Sequence, residues 1–328
     1  MRSRIATLAR AGLVAVSVAA LPAVGATPAA GRQTAAPAVE HLPGEGVPVE
    51  KTHTYRLAGR IRPLLFWFGK DDVGTGRIVW RRSGGGTRAY ELLVGSDPAK
   101  TPRGINRWGY VAEEVTGTNG VLLALMTRAD ESSLDEAEAS AARAGSGMDF
   151  RAMHASLEQG TITARVWRVE TPGILSVFDV DATLDRVRRG AASATPRQAR
   201  ARPGALPGFL VAVARLVDLA VAARSGEQRA AALTSVVPYA FGRNAYDLRL
   251  RDIERIPPAG GERPTLVRLP FEIRTIATDA RTRFELTCGT AGDLAGVPVR
   301  IQWQPRWWLR LELHLDDRDA RRVAPDSR

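Results

Sequence analysis

The sequence predicts a mainly β protein of the α+β type, a curved antiparallel sheet or incomplete barrel with a helical pair covering its apolar face. Three patterns carry that expectation. Across residues 246–315 apolar side chains recur at every second position with charged ones between them, as in an antiparallel sheet with one face on a core and the other in water. In the first half, alternating segments are joined by Ser83-Gly84-Gly85-Gly86 and Gly117-Thr118-Asn119-Gly120, whose glycines reach the positive φ that hairpin turns require. Two helical segments lie between the halves, and laying them on the sheet buries both apolar faces at once.

Residues 1–26 read as a secretory signal peptide. Arg2, Arg4 and Arg10 precede an apolar run over 11–23, and Val24-Gly25-Ala26 places cleavage after Ala26. The run is too short and alanine-rich to span a membrane comfortably. Residues 27–50 are rich in Ala, Pro and Gly without an apolar period and are expected to form a flexible linker.

Residues 51–189 are expected to form an N-terminal antiparallel β region with a short helix. Its strands are read over 54–69, which holds Phe66-Trp67-Phe68, then 76–82, 87–94, 108–115, 121–128, 161–169 and 174–180. Ser132 or Ser133 starts the helix, Glu136 completes a capping box with Ser133, and Arg143 ends it. Residues 190–208 carry Pro196, Pro203 and Pro207 and form a Pro-rich break, either a linker between domains or a long surface loop.

Residues 209–317 hold the helical pair and a five-strand meander. The helix over 209–224 sets Leu210, Val213, Val217 and Ala220 on one stripe and Arg215 with Asp218 on the other. The second helix covers 227–237 and stops before Pro238. Strands follow over 246–251, 267–274, 283–288, 297–303 and 309–315, and Pro270 assigns the second of these to a sheet edge, since proline donates nothing to a ladder. Residues 318–328 form a charged tail.

The chain carries a formal charge of +11; a leader with three arginines and no acids leaves +8. Lys51, Lys70 and Lys100 are the only lysines, and the arginines are spread among Asp and Glu over many strands. That distribution speaks against nucleic-acid binding, which concentrates cations in one arm or patch. Once the 26-residue leader is removed, 302 of the 328 residues remain, enough to bury about three quarters of the unfolded chain's surface without staples. The single cysteine, Cys288, falls on the apolar phase of its strand and reads as a buried, inert thiol.

Side-chain patterns that carry chemistry are sparse. His41, His53, His154 and His314 show no paired spacing for zinc, and neither a Gly-x-Ser-x-Gly elbow nor a phosphate loop is present. The densest polar and aromatic loop runs over 95–110. There Arg103 and Arg107 suit a carboxylate or phosphate, Asn106 adds an amide, and Trp108 and Tyr110 suit stacking on a sugar or ring. The bland reading is an ordered connection in which Asp97 caps a turn and the arginines pair with Glu113 and Glu114. Those two acids, with Asp97, Asp130 and Glu131, also supply carboxylates for a glycosidase-like pair. Trp303 lies on the core phase of its strand, while Trp307 and Trp308 fall on opposite faces.

Two resemblances add to this. Ile174-Leu175-Ser176-Val177-Phe178 followed by Asp179-Val180-Asp181-Ala182-Thr183-Leu184 resembles the first motif of haloacid-dehalogenase-type phosphohydrolases, an apolar strand delivering Asp-x-Asp-x-Thr. The resemblance implies Asp179 as nucleophile, Asp181 as general acid and base, Thr183 on the phosphoryl group and magnesium between the carboxylates. Ala182 replaces the usual glycine, and no lysine follows residue 179. The arrangement of strands at both ends, a helical pair between them and an export signal is similar to the lipoprotein-carrier type of envelope protein, an incomplete barrel whose helices lid a greasy inside. That resemblance implies a non-catalytic, periplasmic or secreted protein without cofactor or metal. Its apolar acyl or lipoprotein ligand would lie against Val213, Leu216 and Val217, and its arginine-rich exterior would meet anionic lipid or glycan in peripheral contact with a membrane surface.

Overall fold

The computed structural model describes residues 41–61, 68–101, 107–127, 147–172, 180–223, 225–257, 266–306 and 309–316. The leader, most of the 27–50 linker, the capped helix starting at Ser132 or Ser133 and the tail lie outside the described residues. Antiparallel strands dominate: β1 (Val49–Ile61), β2 (Phe68–Arg82), β3 (Arg88–Ser96), β4 (Trp108–Thr116), β5 (Asn119–Thr127), β6 (Gly147–Glu158) and β7 (Thr161–Pro172). Then come α1 (Val180–Ala191), β8 (Arg197–Arg200), α2 (Phe209–Ala222) and α3 (Gly226–Thr234). The chain ends with β9 (Val236–Phe241), β10 (Asn244–Leu250), β11 (Glu254–Ile256), β12 (Leu266–Thr275), β13 (Arg281–Gly289), β14 (Pro298–Arg306) and β15 (Leu309–Leu315).

All fifteen strands belong to one sheet, ordered β8-β7-β6-β5-β4-β3-β2-β1-β15-β14-β13-β12-β10-β9, with β11 beside β12. The chain's two halves meet where β1 pairs with β15, Leu57 opposite Leu313. The sheet does not close among the described residues, because its two edge strands, β8 and β9, do not pair with each other. The segment after β8 spans the seam instead. Ala201 N–H donates to the Gly160 carbonyl at 2.9 Å, Leu206 N–H to the Pro238 carbonyl at 2.9 Å, and Ala240 N–H to the Leu206 carbonyl at 2.9 Å. The fold is therefore the incomplete antiparallel barrel that the alternation predicts, and residues 201–206, within the stretch read as a Pro-rich break, bridge its seam.

Cross-strand register sorts the side chains into two faces. Leu57, Leu313, Ile301, Leu286 and Leu269 oppose one another in succession on the inner face. On the outer face Arg249, Glu272 and Arg283 do the same. α2 lies on the inner face: Ala212, Leu216, Val217 and Ala220 share one core cluster with Val111 and Leu122 from the first half and Leu248, Val267, Leu269 and Leu286 from the second. Fully burying such a Leu stabilises by ~1.5–3 kcal/mol, so this one helix joins the two halves of the sheet.

In the first half the outer face is covered too. Tyr110, Ala112, Leu123, Leu125, Phe150 and Ala152 form a second cluster with Val187 and Ala191 of α1 and with Leu42. Residues 41–50 are thus not a flexible linker. Leu42 and Val47 are buried, Gly44 N–H donates to Glu114 Oε2 at 2.9 Å, and β1 begins at Val49.

Other expectations need correction. Pro270 is not on an edge strand: β12 pairs with β13 on one side and with β10 and then β11 on the other. Leu250 faces Phe271 and Glu254 faces Arg268, so Pro270 sits where β10 hands over to β11 and its missing N–H removes no ladder bond there. The helix read over 227–237 ends at Thr234, and Val236 already opens β9. Val180 starts α1 rather than ending a strand. Every strand pair among the described residues is antiparallel, so these strands give no support to the haloacid-dehalogenase resemblance, which implies carboxylates at the end of a parallel strand. Asp179 lies outside the described residues, whereas Asp181 and Thr183 belong to α1 with Thr183 buried.

Candidate functional site

The inner face is mainly apolar but unevenly covered. Beneath α2, Leu248, Val267, Leu269, Phe271 and Cys288 are wholly shielded, each 2% exposed or less. Around β1 and β15 the cover thins. Tyr55, Leu57, Val73, Leu313 and Leu315 are buried, but Ile78, Leu92, Val94, Val299 and Leu311 around them are only partly so. Ile301 touches both this cluster and the one beneath α2. From α2, Phe209, Leu210 and Val213 are partly buried and pack against the cluster beneath the helix. Strand alternation explains the composition: Ile78 and Trp80 of β2, Leu92 and Val94 of β3, Val299 and Ile301 of β14 and Leu311 and Leu313 of β15 share the inner phase.

The N-terminal end of α2 is fixed by an acid in the barrel wall. Gly208 precedes the helix and offers no side-chain cap; instead Glu113 of β4 accepts Phe209 N–H at 2.8 Å and Val211 N–H at 2.9 Å. Its carboxylate satisfies two of the donors that a helix leaves orphaned at its start and opposes the positive end of the dipole. A Cβ on residue 208 would collide with that carboxyl, which requires glycine there. Burial pushes the Glu113 carboxyl up to about 7, against the backbone N–H groups that favour its charged form. Phe209 sits among aromatic rings, with centroids 5.9 Å from Tyr239 and 5.5 Å from Phe284.

The polar loop divides differently. Arg103 and Asn106 lie outside the described residues, as does the Trp108 side chain. Arg107 is tied through its backbone, its N–H donating to Ser96 Oγ at 2.7 Å and its carbonyl accepting Ser96 N–H at 2.8 Å. Tyr110 is no stacking platform: it is buried in the outer cluster, its hydroxyl donates to Glu91 Oε2 at 3.4 Å, and burial pushes the phenol far above its ordinary range. Asp97 does cap a turn, accepting Ala99 N–H at 3.0 Å. Glu113 and Glu114 do not form a glycosidase-like pair, because consecutive strand residues point to opposite faces. Glu113 caps α2 inside, while Glu114 receives His41 and Gly44 outside.

Of the three helix positions expected to meet ligand, Val213 is partly buried against the core cluster beneath the helix. Leu216 and Val217 are 0% and 4% exposed and belong to the core. The role of Glu113 was missed although a signal for it exists: it shares the strand phase of Val111 and Val115, which places an acid on an apolar face.

A shallow recess of about 10 Å³ opens at the seam, lined by Leu122, Ala155, Leu157, Ile162, Pro207 and Ala240. It holds about one water and falls far short of the ~300 Å³ at which small-molecule pockets begin. Among the described residues no helix is long and apolar enough to cross a membrane.

No protein-family model and no curated protein matches the sequence. Among solved structures the chain is similar to the beta-barrel-like protein of domain of unknown function DUF1849 from Brucella abortus, with TM-score 0.34 and 10% identity, over 81% of this chain and 95% of that one.

Proposed function

We propose that the protein is an exported, non-catalytic envelope protein that binds an acyl chain inside its incomplete barrel. The observation that carries this reading is the partly covered apolar wall of Ile78, Leu92, Val94, Val299, Ile301 and Leu311. An apolar surface left partly open inside a fold whose outside is dressed in ion pairs marks a site for an apolar partner. The ligand belongs on this wall and not at the seam, whose cavity is too small, nor at Leu216 and Val217, which already have partners. Export rests on the leader at 1–26.

The test is native mass spectrometry of the mature protein from the periplasm of a secreting host, before and after organic extraction, with Leu92→Asp and Leu216→Ala beside the wild type. A lipid-sized adduct should leave on extraction, return when the extracted protein is incubated with oleate, and be missing from Leu92→Asp with its strand circular dichroism intact. Leu216→Ala should keep the adduct while losing ~2–5 kcal/mol of stability. A wild type that stays bare, even after oleate, would overturn the acyl reading and leave a structural envelope module.

A further inference from the structure

The outer face of β10, β12 and β13 carries an arrangement that acyl binding does not use. Pairing sets Arg249, Glu272 and Arg283 in one cross-strand row, and the next row along holds Asp247, Arg274 and Arg281. Three arginines close over one carboxylate. Arg249 Nε lies 3.5 Å from Glu272 Oε1, Arg281 Nη1 3.8 Å from Oε1, and Arg283 Nε 3.6 Å from Oε2. Glu272 is 0% exposed, and neither of its oxygens meets a donor within hydrogen-bond geometry among the described residues. The guanidiniums are roofing rather than gripping it. Their own side chains are 30%, 51% and 75% exposed, respectively.

We propose that Arg249, Arg281 and Arg283, held over Glu272, form a binding site for a phosphate group. Charge comes first. With the neighbouring Arg274 and Asp279, which pair with each other, the patch holds four cations and two anions; Arg202 neutralises Asp247 at its border. The excess of two positive charges matches the roughly −1.5 to −2 of an ionised phosphate monoester. Donor supply comes second. A guanidinium carries five N–H donors and a carboxylate about four acceptor sites, so three guanidiniums above a single buried carboxylate present far more donors than it can use. Planar guanidinium forks match phosphate oxygens two at a time. Glu272 positions the roof from below without reaching solvent, so it fixes the cations without competing for the ligand's place.

A phospholipid headgroup and free phosphate present the same chemistry to this patch, and the experiment separates them. Melting temperature is measured in inorganic phosphate against chloride at matched ionic strength. Co-sedimentation is measured with phosphatidylcholine vesicles with and without phosphatidic acid. The proteins are the wild type, R281Q/R283Q, E272Q, and R186Q/R189Q, which removes the same charge from α1. Phosphate should raise the wild-type melting temperature; R281Q/R283Q should weaken phosphate about tenfold, the loss expected for charge-assisted hydrogen bonds, and R186Q/R189Q should leave it unchanged. E272Q, with one counter-charge fewer, should bind phosphate more tightly than the wild type, a gain that a purely structural ion pair would not give. Vesicle binding that needs phosphatidic acid and is lost in R281Q/R283Q identifies the headgroup as the source; a phosphate shift without vesicle binding identifies a soluble phosphate. An equal phosphate shift in R281Q/R283Q and wild type would overturn the site. So would a wild type that responds to neither phosphate nor phosphatidic acid.

Discussion

Glu113 of β4 accepts the backbone N–H of Phe209, 96 residues later in the chain, at 2.8 Å, so the start of the inner helix is anchored to the wall it covers. The same carboxylate holds Val211. A buried acid in this position has a measurable consequence, because burial raises its carboxyl from 4.5 to about 7.

Between those two values the folded protein keeps a proton that the unfolded chain has released. Stability from this group is therefore greatest below pH 4.5 and falls as pH rises to about 7, opposite to the usual carboxylate contribution. The change is on the order of 3 kcal/mol at 1.36 kcal/mol per unit. Glu113→Gln, which cannot ionise, should lack this component. Urea denaturation of both proteins at pH 4.5 and 7.5 should show the wild type losing ground to the variant at the higher pH. A difference independent of pH would mean that the carboxyl titrates alike in the folded and unfolded chain.

The segment before β1 offers a second measurement. Leu42 is 4% exposed in the outer cluster, whereas Glu45 makes an ion pair with Arg188 at 2.7 Å between side chains 48% and 38% exposed. The two contacts tie the same strap to the same face but differ in kind. Leu42→Ala should cost ~2–5 kcal/mol, the range for buried Leu truncations. Glu45→Ala should cost less than ~1 kcal/mol, as solvent-exposed pairs do. Equal losses in chemical denaturation would show that the strap is held by charge and not by burial.

The meander was legible because each of its strands has one wet and one dry face, so period two survives in the sequence from Tyr246 to Leu315. β6 was not. Phe150 and Ala152 pack outward beneath α1 while Met153, Ala155 and Leu157 pack inward, and a strand buried on both faces has no alternation to read. Leu42 was lost in an Ala- and Pro-rich context for a related reason: one anchoring side chain makes no period. The site was less legible than the fold. Val213 is only partly buried while Leu216, on the same face three residues on, is wholly so, and a helix that is apolar nearly all round does not announce how deeply each position will be buried. Glu272 shows what register adds. The sequence displays it as one acid among many, and only the pairing of β10, β12 and β13 brings three arginines over it.

Cys288 lets the closure of the inner core be timed. It is 0% exposed, paired across β12 with the equally buried Val267, and burial pushes its thiol up to about 12. Since the thiolate is the reacting form, at pH 8 only about one molecule in ten thousand of the native protein would carry it, and that one would still be covered by α2 and β12. Reaction with a thiol reagent should therefore proceed only through opening of the sheet beneath α2. In rising urea the labelling rate should follow the unfolded fraction seen by circular dichroism, in the regime where reclosing outruns labelling. Leu216→Ala, which removes the helix side of the same cluster, should speed labelling in buffer alone by the factor its stability loss dictates, roughly tenfold for every 1.4 kcal/mol. Prompt labelling of the native wild type would mean that α2 leaves the inner face without global unfolding, and the core beneath it would then be open to ligand as well as to reagent.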